Sequence, residues 1–82
     1  MSKSILLKIQ QSPEVLYAKA LQAAETQGYT FVGDAVTGEI SGSGIKGRYK
    51  FVGNSLIVTI TEKPTLLSWD ALERRLQSFV AG

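Results

Sequence analysis

Lys46, Arg48 and Lys50 alternate with Ile45, Gly47, Tyr49 and Phe51, so an extended strand here puts three cations on one face and the apolar residues on the other. Such a stripe can hold an anion, and exposed aromatic rings beside it would make a platform for single-stranded nucleic acid. Tyr49 and Phe51 have the opposite parity, however. If those two rings are core, the stripe has no stacking partners and reads first as the solvated side of an antiparallel strand, where it also discourages edge-to-edge pairing. It is still the chain's only concentrated charge, since nine basic and seven acidic residues leave a net +2. Lys63 is expected close to it.

Other chemistry has few residues to work with. The chain contains no histidine and no cysteine, which removes the commonest general base and metal ligand along with any thiolate site. The spacing of Asp34, Glu39 and Glu62 brings no two of them together and gives none an activating partner, so they read as solvated charges. Gly42-Ser43-Gly44 has the glycine density of a phosphate loop. It lacks the Gly-Lys-Ser/Thr ending, and it precedes a strand where a phosphate site needs a helix N-terminus. No enzyme, metal or cofactor is expected.

At 82 residues the chain is a single domain, 1–82, whose core is modest because chains of this size bury only somewhat more than roughly 60% of their unfolded surface. Ser4 to Gln10 alternates Ile5, Leu7 and Ile9 against Leu6, Lys8 and Gln10, as in a strand with one buried face. Ser12-Pro13-Glu14 supplies a capping hydroxyl, a proline at the first helical position and a carboxylate at the positive end of the helix dipole. The helix so opened carries Leu16, Ala20, Ala23 and Ala24 on one stripe, with Val15, Tyr17 and Leu21 at its margins, and stops at Gly28. Its alanines predict close packing on a sheet.

Short strands follow at 29–32 and 37–41 around Gly33-Asp34, then a hairpin of 45–52 and 56–61 joined at Gly53-Asn54. Glycines 38, 42, 44 and 47 predict bulges or bends and hence a curved sheet, with a flexible loop over 42–44 as the alternative. Lys63-Pro64 ends the hairpin. Ser68 and Asp70 open a last helix, whose apolar stripe is Trp69, Leu72, Leu76, Phe79 and Val80. The order β-α-β-β-β-β-α predicts an α+β fold, a curved antiparallel sheet of about five strands with two helices packed on one face.

From Ser43 onward, Gly44-Ile45-Lys46-Gly47 opening a strand, the Gly53-Asn54 turn, the alternation of Leu56, Val58 and Ile60, and Leu66-Leu67 before a helix bearing Leu72-Glu73 form a pattern. In this it resembles the polyhydroxyalkanoic acid system proteins, small bacterial proteins associated with polyester storage granules. The resemblance covers about half of the chain and departs at Lys63-Pro64-Thr65. It implies a granule or protein surface as partner and supplies no catalytic residues. In architecture the chain also resembles helix-grip domains, whose curved sheet wraps a C-terminal helix and can hold an apolar ligand. A domain this short is expected to have little volume left once Trp69, Phe79, Tyr49 and Phe51 fill its interior.

The function expected is that of a non-enzymatic binding or accessory protein acting through a surface. That surface would combine Lys46, Arg48 and Lys50 with an apolar patch of Leu6, Ile57 and Val32 on the uncovered face of the sheet, which would also serve a homodimer. The alternative is a carrier of an apolar ligand between the sheet and the last helix, lined by Tyr49, Phe51, Trp69 and Leu72. Nucleic-acid binding is the least favoured of the three and would show an affinity falling steeply with salt. Ile5-Leu6-Leu7 is too short an apolar run for a membrane span or a signal-peptide core, so a soluble cytoplasmic protein is expected.

Overall fold

Ser12 lies in extended conformation, with its hydroxyl accepting from Val15 N–H at 3.3 Å, and Gly28 closes the same helix in the left-handed region at φ 79°. Between these two caps runs α1 (Pro13–Gln27). It follows β1 (Lys3–Lys8) and precedes β2 (Thr30–Gly33), β3 (Thr37–Gly42), β4 (Ile45–Val52), β5 (Ser55–Glu62) and α2 (Trp69–Ala81). The computed structural model describes residues 2–81; Met1 and Gly82 of the 1–82 domain lie outside them. All strand pairs are antiparallel, in the order β1-β5-β4-β3-β2. This is the α+β fold that the sequence predicts.

The glycine-rich stretch resolves into specific devices. Gly42 pairs with Ile45, which leaves Ser43 and Gly44 as a two-residue turn with φ of 51° and 79°, the pattern of a type I′ hairpin. A tight turn thus stands where the flexible loop was the alternative. At the next hairpin Val52 pairs with Ser55, and of Gly53-Asn54 only Gly53 has positive φ, the II′ pattern. Between β4 and β5 the register shifts: Gly47 faces Ile60 but Lys46 faces Glu62. Thr61 is the extra residue, and its hydroxyl donates to the Lys46 carbonyl at 3.1 Å. Such a bulge bends the strand that carries it.

One face of the sheet is buried. Ile5, Leu7, Ile45, Tyr49, Leu56, Val58 and Ile60 form a single cluster with Leu16 of α1 and with Leu72 and Val80 of α2, so both helices lie on that face. They do not lie side by side along its middle. α1 packs along β2 and α2 along β1, which are the two edges of the sheet. Trp69 stands beside Lys3, while Val80 and Ala81 adjoin Leu7 and Lys8, so α2 runs parallel to β1. The central strands β4 and β5 are left as a floor between two helical walls.

Candidate functional site

Over that floor lies an open, mainly apolar cleft of about 620 Å³. Sites for small molecules typically enclose roughly 300–1,000 Å³. Tyr49 and Phe51 of β4 and Val58 and Ile60 of β5 form its base, and Leu72 and Phe79 of α2 one wall. The opposite wall is the alanine stripe of α1, Ala20 and Ala23, whose methyl groups reach too short a distance to fill the space.

An aromatic cluster sets one end of the cleft. Tyr49 meets Phe31 and Phe51 edge-on, each with ring centroids 5.9 Å apart, and its hydroxyl donates to the Asp34 carbonyl at 2.7 Å. Tyr17 reaches across from α1 and donates to the Gly33 carbonyl at 2.9 Å. Burial, assisted by neighbouring Tyr17 and Asp34, pushes the Tyr49 hydroxyl up to about 12. The Tyr49 phenol therefore remains a protonated donor, and both hydroxyls are committed to backbone carbonyls.

The cleft's charged groups are Lys19 and Arg75. Lys19 is partly buried, donates to the Phe79 carbonyl at 2.9 Å and lies 5.1 Å from the centroid of the Phe79 ring. It ties α1 to the last turn of α2, whose carbonyls lack partners within the helix. Arg75 is exposed one helical turn earlier. The one ion pair among the described residues, Lys46 with Glu62 at 3.6 Å, lies on the other face of the sheet.

Protein-family models, curated proteins and solved structures give no match to this chain.

Of the residues expected to line a ligand site, Tyr49, Phe51 and Leu72 come together in the cleft. Trp69 does not join them. It sits at the start of α2 beneath the ammonium groups of Lys3 and Lys63, 5.5 and 5.2 Å from its ring centroid. The interior retains volume, contrary to the expectation for so short a domain, because the helices stand over opposite edges and Trp69, though packed against the core, does not line the cleft. Lys19 and Arg75 were not singled out by sequence reasoning. Their signal is positional: Lys19 falls three residues after Leu16 and four before Ala23, and Arg75 three after Leu72 and four before Phe79, which puts a cation on the border of each apolar stripe.

On the uncovered face Lys46, Arg48 and Lys50 are all exposed, as their parity requires. Lys46 pairs with Glu62, and Arg48 stands opposite Glu39 in the β3–β4 register. Lys63 is not beside the stripe, since it donates to the carbonyls of Pro64 and Leu67 next to Trp69. The apolar patch is smaller than expected. Leu6 is opposite Ile57, but Val32 belongs to β2, at the far edge of the sheet from β1. Asp34, for its part, accepts from the N–H groups of Val36 and Thr37 at 2.8 and 3.0 Å; these bonds, Thr37's foremost, hold its carboxyl below the usual range. Among the described residues no group of three acidic side chains gathers into a metal site, and no helix is long and apolar enough to cross a membrane.

Proposed function

We propose that the protein is a non-enzymatic carrier that holds an apolar small molecule in the cleft between its sheet and its two helices. The observation that carries this reading is the cleft itself, which places the inward side chains of β4 and β5 against about 620 Å³ of open space where a helix would normally lie. Each roughly 40 Å² of apolar surface that a ligand covers there contributes about 1 kcal/mol. The polar groups support binding over chemistry. The hydroxyls of Tyr17 and Tyr49 are bonded to carbonyls and the Asp34 carboxylate to its own turn, so among the described residues no acid–base pair faces the cleft. A cysteine-free chain suits a reducing cytoplasm. A native mass spectrum of protein purified gently from its host is expected to show a retained species of small mass. A protein that is bare and also fails to take up added dodecanol would contradict the carrier reading.

A second reading is binding through the open face of the sheet, with a granule or protein surface as the partner that the family resemblance implies. It is supported by the exposure of Lys46, Arg48 and Lys50 in one row. Glu39 and Glu62 offset part of that charge, which makes this the weaker case. Replacing all three cations with glutamine should abolish such binding without unfolding the domain; unchanged binding removes them from the site.

A further inference from the structure

The ligand's head group can be inferred from the charges at the cleft. We infer that the cleft takes a single-chain amphiphile with an anionic head, a long-chain carboxylate, its tail lying over β4 and β5 and its carboxylate meeting Arg75 and Lys19. This inference rests on the carrier reading of the cleft and adds to it the sign and position of the charge.

Three observations converge on the assignment. The base and walls of the cleft are apolar side chains, which select a hydrocarbon tail but no particular head. The charged residues lining it are one lysine and one arginine, contributed by opposite walls, and among the described residues no carboxylate side chain lines it with them. Lys19 is held in place by its bond to the Phe79 carbonyl and retains further N–H donors beyond that bond.

The negative end of the α2 dipole lies in the same region and would repel an anion. Lys19 offsets it by binding a carbonyl of that last turn, which leaves the Arg75 guanidinium free to act as the attracting charge. Its planar fork matches the two oxygens of a carboxylate. Arg75 also has no acidic residue three or four positions away on α2, since those places hold Ala71, Leu72, Ser78 and Phe79.

The test compares dodecanoate, dodecanol and dodecyltrimethylammonium, the two ions below their micelle-forming concentrations and the alcohol below its solubility limit, by calorimetric titration of the intact protein. Dodecanoate should bind about tenfold more tightly than dodecanol, and the ammonium compound more weakly than either. Arg75→Gln should lower dodecanoate affinity about fivefold and leave dodecanol unchanged. Arg74→Gln, an equal change of net charge at an exposed position that does not line the cleft, should alter neither. Added salt should weaken dodecanoate but not dodecanol.

Equal affinity for dodecanoate and dodecanol would overturn the anionic assignment while leaving the carrier reading standing. Equal losses in Arg75→Gln and Arg74→Gln would also overturn it, because they would mark a response to net charge alone. Failure of every compound to bind would remove the carrier reading and this inference together. Arg75→Gln is the chosen variant because its side chain is exposed, so the domain should fold normally; an unchanged circular dichroism spectrum checks this.

Discussion

The Tyr49 ring occupies the space that any side chain at Gly38 would need. A Cβ built at Gly38 would lie 2.4 Å from the Tyr49 hydroxyl and 2.6 Å from the adjoining ring carbon. Gly38→Ala is therefore expected to cost about 1–3 kcal/mol, read as a lower urea midpoint with the slope unchanged. Tyr49→Phe should cost about 1 kcal/mol through loss of the bond to the Asp34 carbonyl. The same hydroxyl fixes an alkaline limit. Its value is raised from 10.0 to about 12 on folding, so its contribution is complete below pH 10 and is lost as the pH rises toward 12. Stability measured across that range should fall in the wild type and fall less in Tyr49→Phe. The inward parity of Tyr49 was legible from its alternation with the cations, whereas the reason for a glycine at 38 was not, because it depends on a ring brought in from the neighbouring strand.

Each hairpin is specified by its turn chemistry, and here sequence and structure agree closely. Gly53 at the first turn position and the alternation on either side are enough to place β4 and β5. Ser43-Gly44 was harder to read, since serine is an uncommon choice at a position with φ of 51°. Ser43→Asn, which restores the favoured Asn-Gly pair, should raise the melting temperature by the equivalent of a few tenths of a kcal/mol, and Ser43→Val should lower it. At the level of helices, α1 is anchored by Leu16, which is 0% exposed, while Val15 on its margin is 54% exposed and Leu21 38%. Leu16→Ala should thus cost about 2–5 kcal/mol in denaturant unfolding, whereas Val15→Ala should be nearly neutral. The apolar stripe of each helix was visible in its periodicity. How far apart the two stripes would come to rest was not.

The arrangement of the whole molecule decides what kind of site it has. Hairpin connections place β2, β3, β4 and β5 in sequence, but β1 joins at the free edge of β5, so α1 must carry the chain across to the opposite edge. That crossing separates Val32 from Leu6, and it also stands α1 over β2 while α2 lies over β1. Residue patterns describe faces and not strand order, which is why the expected patch of Leu6, Ile57 and Val32 divides between two edges, and why a ligand site expected against α2 alone has α1 as its second wall and Trp69 outside its lining. The central claim is that this cleft is a ligand site, and the most direct test is to fill it from within. Ala23 lines the α1 wall, and Ala23→Phe would project a ring into the space. Calorimetric titration of wild type and Ala23→Phe with dodecanol, alongside thermal unfolding of both, gives the decisive comparison. Saturable one-to-one binding to the wild type, lost in a variant that melts at the same or a higher temperature, is the predicted result. Equal binding by the two proteins, or none by either, would contradict it.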